Sequence, residues 1–132
     1  MTRHEARETA FIIIFEKGFL GDVSLGEIID RAQESEFFDV NNYVVRTVKG
    51  VFENSEKIEE MIEKNLIGWS SKRISRVAGA ILKLAVYEMM LSDEVPVGVA
   101  INEAVEIAKK YATTEDASYI NGVLGAIAKS KQ

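Results

Sequence analysis

The stretch Val77-Ala78-Gly79-Ala80-Ile81-Leu82-Lys83-Leu84-Ala85-Val86-Tyr87-Glu88-Met89-Met90-Leu91 carries only two charged side chains, Lys83 and Glu88. A helix of that sequence is apolar almost all the way round. Such a helix leaves no polar face for water and belongs at the centre of a bundle. This segment therefore sets the expectation of an all-α fold packed around it.

Working outward, the flanking segments read as amphipathic helices with their own start signals. Thr2-Arg3-His4-Glu5 and Ser24-Leu25-Gly26-Glu27 are capping boxes. The first opens a helix running to about Lys17, with Gly18 and Gly21 as stops, and the second a helix ending near Ser35. Tyr43 to Phe52 is rich in β-branched residues, yet Val44, Val45, Val48, Val51 and Phe52 fall on one helical stripe and do not alternate. Ser55 is expected to cap a fourth helix that stops at Gly68, with Ile58, Met61, Ile62 and Leu66 on its inner face. Pro96 suits the first turn of a sixth helix, with Ile101, Ala104, Val105 and Ala108 inward and Glu106 paired to Lys110 outward. Thr113 or Thr114 caps the last helix, whose buried stripe is Tyr119, Ile120, Val123, Leu124 and Ile127. No repeat, low-complexity run or linker divides the chain, so residues 1–132 are expected to form one domain.

Composition narrows the chemistry. The chain has 132 residues, 16 Lys and Arg against 21 Asp and Glu, one His, one Pro and no Cys. Without Cys there are no thiolate zinc sites, iron–sulfur clusters or cysteine nucleophiles, and His4 alone cannot build a histidine metal cluster. No GxGxxG or GxxxxGK[ST] loop occurs. The expectation is a protein that is not an enzyme and needs neither cofactor nor metal. The apolar run from Phe11 to Phe15 is too short for a signal peptide or a membrane span, so a cytoplasmic location away from membranes is expected. The net charge of −5 argues against salt-driven nucleic-acid binding over the whole surface, and any such site must be local.

Candidate local sites are few. Arg3 and Arg7 lie one helical turn apart with His4 beside them, and paired guanidinium groups can fork onto phosphates or stack on splayed bases. The alternative is an exposed helix end neutralised by Glu5 and Glu8. Lys72, Arg73 and Arg76 follow Trp69 at the start of the central helix, where cations oppose the helix dipole. They mark either a ligand site or a solvated turn, while Trp69 reads as a core plug. Tyr119 and Asn121, beside Gly122, mark either close helix packing or a surface that pairs or stacks. Glu88 and Glu103 read as buried ties between helices, not as general acids.

The segments Ala80-Ile81-Leu82-Lys83-Leu84-Ala85-Val86-Tyr87-Glu88-Met89, Val95-Pro96, Ala100-Ile101-Asn102-Glu103-Ala104-Val105-Glu106-Ile107-Ala108-Lys109-Lys110-Tyr111 and Tyr119-Ile120-Asn121-Gly122-Val123-Leu124 closely resemble the signature of the NusB family of bacterial transcription antitermination factors. Trp69 to Arg73 and the Ala6-Arg7-Glu8 start extend the match. The resemblance implies about seven helices in two roughly perpendicular three-helix halves. It also implies a partner, the ribosomal protein called NusE in this role, with which such proteins bind the single-stranded boxA element of nascent RNA. The pair then joins RNA polymerase with NusA and NusG and suppresses termination in ribosomal RNA operons. By the same resemblance the arginine-rich start of the family falls on Arg3, His4 and Arg7, and an aromatic position on Tyr119. Monomer and homodimer both remain open. Two rivals stand beside this reading: the NusB-like RNA-binding domain of a ribosomal RNA cytosine methyltransferase, and a helical interaction module without RNA binding.

Overall fold

A computed structural model describes residues 2–35, 40–66 and 74–131. Seven α-helices make up the described chain: α1 (Arg3–Phe19), α2 (Leu25–Glu34), α3 (Asn42–Glu53), α4 (Ser55–Lys64), α5 (Arg76–Val86), α6 (Val97–Tyr111) and α7 (Thr114–Lys131). No strand occurs among the described residues. The valine-rich α3 is helical because its stripe buries Val44, Val48 and Val51 together, which a strand would have split between two faces.

The central segment behaves as its composition requires. Ala78, Ile81, Leu82 and Val86 of α5 are inaccessible, and α5 touches α1, α3, α4, α6 and α7. Helix α1 packs against both α2 and α3, and α6 pairs with α7. The expected single long helix is broken, however. After Val86 the chain widens into a π-turn, Tyr87–Leu91, closed by Ser92 N–H donating to the Tyr87 carbonyl at 3.1 Å. No helix among the described residues is long and apolar enough to cross a membrane.

Local capping follows the sequence at some helix ends and departs from it at others. Thr2 and Glu5 close the expected capping box, and Thr113 is the cap of α7, accepting from Asp116 N–H at 2.9 Å. Of the second expected box only half forms: Ser24 accepts from the Glu27 N–H, while the Glu27 carboxylate meets Arg31 at 2.9 Å instead. Helix α1 runs through Gly18 to Phe19; the Lys17 ammonium then bonds the Gly21 and Val23 carbonyls and shapes the turn itself. Ser55 is the first residue of α4 and not its cap. Asn54 occupies the boundary, its backbone and side-chain N–H groups both spent on the Gly50 carbonyl at the end of α3. Pro96 precedes α6 as its boundary residue and does not sit inside the first turn. Helix α4 ends at Lys64 with Asn65 as its cap, short of the expected stop at Gly68, so Leu66 lies past the helix; Gly68 itself and the Trp69 plug lie outside the described residues.

Candidate nucleic-acid interface

The start of α1 is the point where the chain's charges are most tightly organised. Arg7 faces inward because Ala6, Ala10 and Ile14 bury the same side of the helix, and its side chain is 6% exposed. Its Nε donates to Glu88 Oε1 at 2.8 Å, and its Nη1 lies 3.8 Å from Glu103 Oε2. The other Glu88 oxygen accepts from the Tyr43 hydroxyl at 2.9 Å. Burial first, and then the Glu88 charge, pushes the Tyr43 pKa well up, so this hydroxyl stays a donor. Glu88 thus ties α1, α3 and the π-turn at one buried carboxylate, the tie its sequence position suggested.

His4 forms a second knot on the surface above. Its Nδ1 is 2.5 Å from Glu103 Oε2 and its Nε2 is 2.9 Å from Glu8 Oε1. Only an imidazolium donates from both nitrogens, and the bond to Glu103 leads in raising the His4 pKa. Glu8 also accepts from Lys110 and from the Tyr111 hydroxyl, at 2.8 and 2.9 Å. Lys110 is therefore engaged with α1, and Glu106 pairs instead with Lys109 at 3.5 Å, against the expected Glu106–Lys110 pair.

Arg3 differs from every other described arginine. Arg7, Arg31 and Arg46 pair with carboxylates and Arg76 donates to the Gly18 carbonyl. Arg3 is exposed, with its guanidinium carbon 4.2 Å from the centre of the Tyr43 ring and no acceptor for its N–H groups among the described residues.

The predicted site residues therefore separate. Arg3 and His4 share one surface. Arg7 lies beneath them, and its expected role in forking onto phosphates gives way to the ion pair with Glu88, because the guanidinium is both buried and occupied. Tyr119 is 6% exposed within the core, so it offers no open face for stacking. Asn121, two residues on, is exposed on α7. Arg76 reaches Gly18 and stacks over Phe19 at 4.8 Å, at the far end of α1 and roughly 22 Å along the helix axis from Arg3. Lys72 and Arg73 lie outside the described residues. Sequence reasoning overlooked Tyr43; its signal was a large aromatic with Thr47 one turn on, both falling on the inner side of α3.

A second feature lies near Arg76. A groove of about 490 Å³ runs between α1, α4 and α5, with Ile14, Phe15, Ile62, Leu66 and Leu82 among its apolar lining. Charged residues edge it, and Lys83 Nζ approaches Glu59 at 3.7 Å.

Together these features define an all-helical binding protein, with one cation held ready at a helix start and an apolar groove at the other end of the same helix. The NusB family model matches residues 4–129. The transcription antitermination protein NusB of Acetivibrio thermocellus is 45% identical over 135 residues, covering 99% of this chain and 91% of that protein. NusB of Bacillus subtilis is 38% identical, covering 96% and 95%. Among solved structures, T. maritima NusB superposes with a TM-score of 0.86 at 34% identity, covering 98% of this chain and 92% of that one. A complex of the antitermination factors NusB and NusE with double-stranded RNA contains a chain matching at TM-score 0.85 and 28% identity, covering 98% and 99%. The chain belongs to the NusB family of transcription antitermination factors, which are RNA-binding proteins and not enzymes.

Proposed function

We propose that this chain, as one folded unit in the bacterial cytoplasm, pairs with ribosomal protein NusE and binds the boxA element of nascent RNA. The bound pair then joins RNA polymerase with NusA and NusG and suppresses termination in ribosomal RNA operons. The observation that carries the RNA side is Arg3, a guanidinium with no acceptor for its N–H groups among the described residues, beside acids that His4 and Lys110 already meet. The solved complex of a relative with NusE and RNA supports the choice of both partners. For NusE we assign the groove between α1, α4 and α5, where apolar lining and charged edges match what a protein partner buries. Asn121, Arg76 and the Lys72-Arg73 pair are further RNA candidates, each open to substitution.

A thin basic surface on a chain of net charge −5 collects few phosphates, so the chain alone binds RNA weakly and the partner supplies the rest. Titrating labelled boxA RNA with the chain, then with the chain and NusE together, tests this. The expected gain is at least tenfold over scrambled RNA, and equal affinities with and without NusE overturn the reading.

A further inference from the structure

We propose that Arg3 and Tyr43 form a stacking platform for one unpaired RNA base, with Tyr43 as the residue that positions the Arg3 guanidinium. This rests on the RNA-binding reading above and adds how a single base is held. The platform is layered. Glu88, 2% exposed, holds the Tyr43 hydroxyl at 2.9 Å and is itself held by Arg7 at 2.8 Å. The Tyr43 ring is 6% exposed, and Arg3 lies over its face at 4.2 Å. A guanidinium in that position is attracted to the ring electrons on one side and presents its other side to solvent.

Three observations point to a base as the occupant. Arg3 lacks a carboxylate or carbonyl partner among the described residues, although every other described arginine has one. Its planar group is ordered by the ring without consuming its N–H donors, which leaves them available to a phosphate oxygen next to the stacked base. The neighbouring acids do not repel the strand strongly, since Glu8 and Glu103 are met by His4, Lys110 and Arg7. Unpaired bases stack on arginine planes and aromatic faces, whereas bases inside a duplex expose only their edges. Lysine in place of Arg3 would keep the charge and lose the plane.

The test uses the full chain bound to NusE and a single-stranded boxA RNA, with 2-aminopurine replacing one base at a time. Wild-type protein is expected to quench one position by stacking. Arg3→Ala and Arg3→Lys should each lower affinity roughly tenfold, the loss expected of one stacked base, and abolish the quench. Tyr43→Leu should lose as much as Arg3→Ala, the double variant should lose no more than either, and Tyr43→Phe, which keeps the ring, should recover most of the loss. If Arg3→Lys binds and quenches as wild type, Arg3 is a point charge and the platform is wrong; this outcome needs no change in the core. If Arg3→Ala leaves salt-dependent RNA binding intact, or a boxA duplex competes as well as the single strand, the platform is also wrong while RNA binding stands. Failure of the wild-type complex to bind any RNA removes both.

Discussion

Removing the Glu88 carboxylate strands two donors at once, Arg7 Nε and the Tyr43 hydroxyl, in a place water does not reach. Breaking one side of a buried ion pair typically costs about 3–5 kcal/mol, because the remaining charge is left uncompensated. Glu88→Ala should therefore destabilise by about 3–5 kcal/mol, read as a lowered urea midpoint. Glu88→Gln, which keeps a carbonyl acceptor, should lose less. His4 gives a prediction with a sign. Its folded pKa is raised above 6.5, so its contribution to stability is fully present below pH 6.5 and disappears as pH rises through the raised value. Wild-type protein should lose stability as pH rises above 6.5, and His4→Gln should flatten that decline; identical pH profiles would remove the imidazolium. Glu88 was legible as a buried tie between helices but its partners were not, and the imidazolium role of His4 was not legible at all. Thr2 and Glu5 announce their bond across three positions, whereas Arg7 finds Glu88 across 81, and no local pattern reveals that the second arginine of a pair turns inward.

Among the elements, the π-turn explains why Gly50 is a glycine. The turn carries Tyr87 against α3, and a methyl group at Gly50 would overlap the Tyr87 ring. Overpacking costs typically 1–3 kcal/mol, while Ala in place of Gly returns about 1 kcal/mol of helix propensity. Gly50→Ala should thus destabilise by about 1 kcal/mol in thermal unfolding, and adding Tyr87→Leu should cancel much of that cost. Gly79 on α5 is the opposite case. It lines the groove, and a Cβ there meets nothing closer than Ile74 Cγ2 at 4.0 Å. Gly79→Gln should leave the melting temperature unchanged or slightly higher while weakening NusE binding at least tenfold, measured by calorimetry; unchanged binding would place the partner elsewhere. The helices themselves were legible because each buries a stripe of period 3.6, and α3 resisted misreading as a strand for that reason. The π-turn was not legible, since Tyr87 to Leu91 is as apolar as the helix before it and its widening answers to Glu88 and Gly50 partners on other helices. The Lys110 pairing failed for a similar cause, as Glu8 on α1 lies nearer than Glu106 on its own helix.

At the scale of the whole molecule, charge decides how the parts cooperate. The sequence places 8 basic against 14 acidic residues in positions 1–66, and 8 against 7 in the remainder. Most described cations on this surface are already matched to acids within the fold, and Arg3 stands out because its acids have been matched to others. Under the proposed function, a chain so arranged is expected to attract RNA weakly at long range and to meet a strand that its partner has brought close. Single-strand binding loses affinity with salt at a slope near −0.7 for each phosphate neutralised. With one or two phosphates met by the chain alone, the logarithm of affinity should fall against the logarithm of salt with a slope shallower than about −1.5. The complex with NusE should be steeper, because the partner adds its own contacts to the same strand, and Arg3→Ala should reduce that slope by about 0.7 in either form. A steep slope for the chain alone would mean that a broader cationic surface takes part, with Arg76 and the Lys72-Arg73 pair the first substitutions to make. A slope unaffected by Arg3 would show that the helix start does not meet phosphate, leaving NusE to hold the RNA at that end of the molecule.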